Sequence, residues 1–399
     1  LQTRAFGQTY LLGIWIFISV LTPLLGFLGA RGFAPAIGVM GLLCLPMVKP
    51  RGADGIGFGL LAALVVWAGV SLGWSPAPQP HSLKDFQRLT VLHLALQLGL
   101  SGAFVVSAGR FAREDATKAL RGLSYGLLAL AAILVIEGLT QAKIYQALQH
   151  PIGQSVRPDL AVRNVAVGGY VLAALIWPIG VALYRNGQAW RVLPLCAAVI
   201  FSTIALRGDS PTLAILASGG VFVAVLLLGR VAVAGATALA AAYWLFTPWV
   251  MLALQKVGVF QRMNGHLPPS WNQRLDIWTF TTQRIREDPL FGWGLDASRE
   301  FKGYIPLHPH DGSVQVWFEL GLPGALLAAG FFVFLGWRVW RGPFDRLFAA
   351  TAAASLTVYL VIGAISFSLW QEWWICLGAF ALAACVVLRR SMDAPVSAG

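Results

Sequence analysis

Twelve apolar runs, each close to the length that crosses the hydrocarbon core of a bilayer, follow one another along this chain of 399 residues, separated by short segments holding Arg, Lys, Pro and Gly. In hydrocarbon every backbone N–H and C=O has to be satisfied within the protein, which restricts spanning segments to helices or to the strands of a closed barrel. Barrel strands alternate apolar and polar residues over about ten positions; these runs are apolar throughout and roughly twice as long. Hydrophobic residues make up 57% of the chain and charged ones 12%, and a mean hydropathy of +0.70 excludes a water-soluble domain of this size. The expected fold is an all-α integral membrane protein, a bundle of about 12 transmembrane helices.

The spans are expected near 9–29, 33–48, 56–73, 87–107, 117–138, 165–184, 191–206, 212–229, 231–251, 322–340, 345–366 and 372–388. Arg4, Lys49 and Arg51, the group Arg110, Arg113, Lys118 and Arg121, then Arg185 and Arg191, Arg230, Arg338 with Arg341 and Arg346, and finally Arg389 and Arg390 fall at the N-terminus, at every second connection and at the C-terminus. The positive-inside rule then puts both termini in the cytoplasm and calls for an even number of spans. Residues 1–251 hold spans 1–9, residues 252–321 one long outer loop, and residues 322–399 spans 10–12 and a cytoplasmic tail.

The same cations give the formal net charge of +12 a bland origin, as topology determinants beside anionic lipid headgroups. No basic stripe interleaved with exposed aromatics and no zinc-finger or RNA-binding signature is present, so nucleic acid is not an expected partner. Cys44, Cys196, Cys376 and Cys385 all lie inside expected spans with no C-x-x-C spacing. They read as small apolar packing residues and not as a disulfide framework or zinc ligands. The first apolar run is long enough to span and lacks a small-residue cleavage site, so no cleavable signal peptide is expected.

In this orientation the outer connections are 75–86, 139–164, 207–211 and 252–321. The last of these, by far the largest, contains Pro268-Pro269-Ser270 followed by Gln273, which reads as a capping box with Ser270 as N-cap, and Pro289 ends the helix about five turns later. Trp271, Leu275, Trp278 and Ile285 fall near one face of that helix, the pattern of a helix lying on the membrane surface. Against the charge bias this side also holds Arg157, Arg163, Arg207, Arg262, Arg274, Arg284, Arg286 and Arg299. Each calls for an acidic partner or a ligand, and Asp209, Asp276, Glu287, Asp288 and Glu300 can neutralise several in short surface pairs. Arg207 closes an apolar span and precedes Asp209-Ser210-Pro211, read as a capping residue with proline at the first helical position. That position holds a guanidinium at the membrane surface, where bidentate contacts suit a lipid diphosphate and the charge growing on it as it departs.

The other polar concentration is His308-Pro309-His310-Asp311, ahead of an amphipathic run over 312–320 and the break Gly321-Leu322-Pro323-Gly324. A histidine titrates in the range suited to accepting a proton from a sugar hydroxyl near neutral pH. Equally, His310 or Asp311 fits as the cap of the helix that the glycines and proline then break. Two histidines at i, i+2 lack the helical i, i+4 arrangement of a metal pair, so no metal is expected.

These pieces, in this order, resemble the O-antigen ligase and polymerase superfamily, the WaaL-type ligases, the Wzy-type polymerases and the related bacterial protein O-oligosaccharyltransferases. The resemblance runs from Ala205-Leu206-Arg207 through Arg274-Leu275-Asp276-Ile277-Trp278 and Asp288-Pro289-Leu290-Phe291-Gly292-Trp293-Gly294 to the histidine cluster and Gly321-Leu322-Pro323-Gly324. The N-terminal half resembles the family only in span pattern and in Trp74-Ser75-Pro76. It implies a membrane glycosyltransferase of the bacterial inner membrane, working at the periplasmic face in the long periplasmic loop, with no cofactor and no metal. The implied donor is a glycan on undecaprenyl diphosphate and the implied acceptor a hydroxyl of lipid A-core or another glycan, with membrane lipids around the bundle. Catalytic roles carry over by motif position to His310, as the base, and to Arg207 and Arg274, on the diphosphate; His308, Asp311, Arg163 and Arg157 are taken as substrate-binding. The ligase pattern has Asn, Ser or Gln after the histidine, and Asp311 departs from it. A carboxylate there either repels the diphosphate or orients His310 as in a catalytic dyad, and Asp311→Asn separates the two: a gain or no change under repulsion, a marked loss under the dyad.

The leading expectation is an O-antigen ligase, with a polymerase and a protein O-glycosyltransferase as sister readings that share its donor chemistry. A non-catalytic lipid or polysaccharide transporter is a fourth, disfavoured because no internal repeat is apparent and Glu137 is the only acidic residue placed clearly within a span.

Overall fold

The computed structural model describes residues 2–49, 52–78, 90–150, 156–206, 208–342 and 344–393. Among these residues twelve helices are long and apolar enough to cross a membrane, and their limits fall close to the expected spans. They are α1 (Gln2–Leu28), α2 (Phe33–Cys44, extended at both ends by short 3-10 turns), α3 (Gly52–Ser71), α4 (Thr90–Ala108), α5 (Arg113–Thr140), α7 (Pro158–Arg185), α8 (Val192–Leu206), α9 (Asp209–Leu228), α10 (Arg230–Lys256), α13 (Gly312–Arg341), α14 (Arg346–Ile365) and α15 (Glu372–Met392). Among the described residues three further helices, α6 (Lys143–Gln149), α11 (Val259–Met263) and α12 (Pro269–Glu287), lie in the connections between spans.

Two large apolar clusters organise the bundle. One is built from α1, α2, α5, α7, α8 and α15 and centres on α7, the most deeply buried span. The other joins α10 and α13 to α12 and to the loop after it. The cation-bearing connections meet at one end: Arg110 reaches the Lys49 carbonyl at 2.7 Å, Arg390 the Phe111 carbonyl at 2.9 Å, and Arg338 pairs with Asp54 at 2.8 Å. Because the spans alternate in direction, the histidine cluster lies at the other end.

Helix starts differ from expectation in two places. Pro268 is the N-cap of α12, with Pro269 at the first helical position, so the capping box centred on Ser270 does not form. A proline at that position loses no hydrogen bond and arrives with helical φ already set, which starts the helix ahead of the serine. Likewise α9 begins at Asp209 after Gly208, leaving Pro211 third in the helix, still among the first four residues whose N–H groups have no intrahelical acceptor. Pro289 does end α12, whose last residue is Glu287.

The apolar face of α12 packs on protein. Leu275, Ile277, Trp278 and Ile285 are buried against α10 and the start of α13, and the Trp278 indole donates to the Pro309 carbonyl at 2.9 Å. The face read from sequence as membrane-seeking is therefore the face that docks the helix over the histidine loop.

The break in α13 is at Gly321, which has φ +62°. Carbonyls freed there do not stay orphaned: Trp293 N–H donates to Phe318 O and Gly294 N–H to Glu319 O, both at 2.8 Å, and the Trp67 indole donates to Leu320 O at 2.8 Å. In return Leu322 N–H donates to Pro289 O at 3.0 Å, and the Trp74 indole donates to Gly292 O at 3.0 Å. The segments 288–294 and 321–324 and the tryptophans of α3 and its end thus form one interlocked joint. It holds the helix Gly312–Leu320 beneath the long loop that bears α12.

Candidate active site

That first part of α13 was expected to be amphipathic, yet every residue from Gly312 to Gly321 is buried. Its N-cap is Asp311, whose Oδ1 accepts from Val314 N–H at 2.8 Å and from the Tyr243 hydroxyl of α10 at 3.3 Å. Asp311 does not orient His310, so the dyad is replaced by the capping role, and a side chain only 3% exposed is not placed to bind substrate. Asp, Asn and Ser are the best N-caps for one reason, a short side-chain acceptor that reaches an orphan N–H. The departure of Asp311 from the ligase pattern therefore preserves what that position does structurally. Burial pushes its carboxyl up to about 7, against the pull of its hydrogen bonds to Val314 and Tyr243. Asp311→Asn removes at most part of a charge at neutral pH and keeps the cap: stability within about 0.5 kcal/mol and transfer within a few-fold of the parent are expected, read by thermal unfolding and initial rates.

His310 sits immediately before this cap with φ +59°, in the left-handed region. Its backbone N–H donates to Nδ1 of His308 at 3.1 Å, and the two rings lie 4.0 Å apart. Its own Nδ1 lies 3.1 Å from the Ser366 carbonyl at the end of α14. A carbonyl can only accept, so Nδ1 carries the hydrogen and Nε2 of the neutral ring keeps its lone pair. His308, by the same logic, is protonated at Nε2, since its Nδ1 accepts. Burial, the neighbouring His310 and the charges of Arg274 and Arg299 push His308 down to about 3, which keeps it neutral throughout the physiological range. Burial also lowers His310, with the Ser366 bond opposing and the Arg274 charge reinforcing the shift.

Arg274, on the second turn of α12, is thus felt electrostatically at both rings, and its guanidinium lies over Trp271 at 4.8 Å. The structure brings together His308, His310 and Arg274. Arg207 lies outside the described residues, although Ser210, on the following turn, accepts from the Ser366 hydroxyl at 2.6 Å. Arg157 forms a bidentate pair with Asp159 at 3.1 and 2.8 Å on the exposed start of α7, and Arg163 projects exposed from the same helix. Arg284 is held by Glu287 at 2.6 Å, Arg299 by Asp296 at 3.2 Å, and Arg262 caps the end of α10 through Gly258 O and Val257 O. Much of the positive charge in these connections is therefore structural.

Sequence reasoning missed Tyr243, Gln315, Glu319 and the connection between α14 and α15, Ser366 to Gln371. The one available signal was polarity: Ser366-Phe367-Ser368-Leu369-Trp370-Gln371 interrupts two apolar spans.

Residues 194–329, which include α12, the glycine joint and the histidine cluster, match the family model described as O-antigen ligase. Over these residues, about a third of its length, the chain is similar to the O-antigen ligase family. Three curated proteins named "Putative polysaccharide ligase" are similar to it. That of Rickettsia conorii is 33% identical over 131 residues, 29% of this chain and 31% of that protein. That of Rickettsia typhi is 31% identical over 132 residues, with the same coverage of 29% and 31%. That of Rickettsia bellii is 35% identical over 122 residues, 27% of this chain and 29% of that protein. The matched stretch spans about a third of the length of these curated relatives. Ser366 and Trp370 stand beyond the matched residues yet touch the site within them.

Proposed function

We propose that this protein is an O-antigen ligase, transferring a glycan from undecaprenyl diphosphate to a hydroxyl of lipid A-core at the periplasmic face of the inner membrane. His310 Nε2 takes the proton of the acceptor hydroxyl as its oxygen forms a bond to the anomeric carbon. The bond from that carbon to the diphosphate oxygen breaks on the opposite side, inverting the centre, and the electron pair leaves with the diphosphate. Arg274, and by motif position Arg207, hold the diphosphate and offset the charge it gains. The observation that carries the reading is the fixed tautomer of His310: a lone pair on Nε2, held beside an arginine at the outer end of the bundle.

The test is transfer by the purified protein in detergent with EDTA, supplying an undecaprenyl-diphosphate glycan with lipid A-core or with no second acceptor. Product on lipid A-core supports the ligase, lengthened glycan on the carrier replaces it with a polymerase, and no product with either acceptor overturns the reading. Arg274→Gln is expected to slow transfer by about 100- to 1,000-fold. The residual activity carries a second signature. Arg274 disfavours the charged imidazolium, so its removal raises the proton affinity of His310 and moves the acid limb of the pH profile to higher pH.

A further inference from the structure

The connection Ser366–Gln371 has to be held still for its Ser366 carbonyl to fix the tautomer of His310, and α13 supplies the means. Gln315 Oε1 accepts from Ser368 Oγ at 3.0 Å and from Leu369 N–H at 2.9 Å. Gln315 Nε2 donates to Glu319 Oε1 at 3.2 Å, and Ser298 Oγ donates to the same oxygen at 2.6 Å. Glu319 Oε2 accepts from the Trp370 indole at 2.6 Å and from Asp296 N–H at 3.0 Å. Four donors converge on one carboxyl group that is 0% exposed, and no cation among the described residues pairs with it directly, so its hydrogen bonds alone offset the cost of its burial.

We infer that Glu319, acting through Gln315 and Trp370, is the positioning residue of the proposed transfer: it sets the α14–α15 connection, and so the Ser366 carbonyl that keeps His310 Nε2 open to the acceptor. This rests on His310 being the base. The chemistry at 319 requires a carboxylate. A glutamine there accepts with only one end, and its NH2 meets either the Trp370 and Asp296 N–H donors or the Gln315 amide. If Gln315 turns over to receive it, its own NH2 then faces the Leu369 N–H. Each arrangement leaves an unsatisfied donor, and most leave it in the connection that carries Ser366. The charged and titratable groups around His310 are Arg274 on α12, His308 and Arg299 in the loop, and Asp311 at the cap of α13; Glu319 acts through the carbonyl and not by field.

Glu319→Gln, and the milder Trp370→Phe, are expected to lower kcat about 10- to 100-fold with donor KM nearly unchanged. Loss of the Ser366 bond removes the contact that favours protonated His310, so the acid limb shifts to lower pH, opposite to Arg274→Gln. Nitrogen-15 spectra of the imidazoles, which need no substrate, should show His310 as the Nδ1–H tautomer in the parent and as a mixture in the variants. If His310→Ala leaves transfer intact, the proposed function has failed. If it abolishes transfer while folded Glu319→Gln or Trp370→Phe keeps the parental kcat and the single tautomer, this inference alone is overturned; should Glu319→Gln not fold, Trp370→Phe decides.

Discussion

His310→Ala is expected to reduce glycan transfer by about 100- to 10,000-fold, the span over which a well-placed general base contributes. The bundle should survive, because the ring is only half buried and its two hydrogen bonds join loops, not spans. Alanine is nonetheless strained at φ +59°, so a second variant separates chemistry from backbone. Asparagine tolerates the left-handed region and cannot accept a proton at neutral pH. His310→Asn should therefore be the more stable of the two and equally inactive. Recovery of activity by asparagine would mean that the loop conformation, and not proton transfer, carries the rate. In the parent, burial and Arg274 disfavour the imidazolium, so the free base persists below the ordinary histidine midpoint of about 6.5. The rate should be flat at neutral pH and fall only below that midpoint; a fall beginning above it would contradict the assigned environment.

The spans were legible because in hydrocarbon length and polarity are nearly the whole constraint, and a run of 20 apolar residues admits one conformation. The break at Gly321 was legible for a related reason, since Gly-x-Pro-Gly cannot continue a helix unmarked. Contacts that depend on what comes back from elsewhere were not. The Ser366 carbonyl is 56 positions from His310, and a backbone acceptor leaves no trace in residue identity. Glu319 read as the polar side of an amphipathic helix because period alone cannot distinguish a carboxylate facing water from one facing four buried donors. The surface helix α12 failed in the same way: an apolar stripe says that a face is covered, and only the fold says whether lipid or α10 covers it. Asp311 shows the converse, a motif position whose chemistry suggested catalysis and whose geometry is that of a helix cap.

Gly321→Ala is expected to cost more than about 3 kcal/mol of stability, enough to abolish recovery of monodisperse protein. Two independent effects act at this residue. Its φ of +62° with ψ of −157° lies in a region open essentially to glycine alone, a penalty of about 1–3 kcal/mol for any side chain. A Cβ would also press on the Leu290 carbonyl oxygen and lie 2.7 Å from both the Leu290 and Phe291 carbonyl carbons, backbone atoms that cannot rotate away. Relief requires Leu290 and Phe291 to withdraw, which pulls on the Leu322 bonds to Pro289 O and Leu290 O and on the neighbouring Trp293 and Gly294 donors. Carbonyls of Phe318 and Glu319 would then be buried without partners, each costing about 1–3 kcal/mol. Gly303→Ala is the matched control, because a Cβ there meets nothing within 4 Å and the backbone is not left-handed. Thermal unfolding in detergent should leave that control within experimental error of the parent while the Gly321 variant unfolds or aggregates. A Gly321→Ala protein as stable as the parent would show that segments 288–294 and 321–324 are not locked together, and the buried helix bearing the Asp311 cap and Glu319 would lose the joint that fixes it under the long loop.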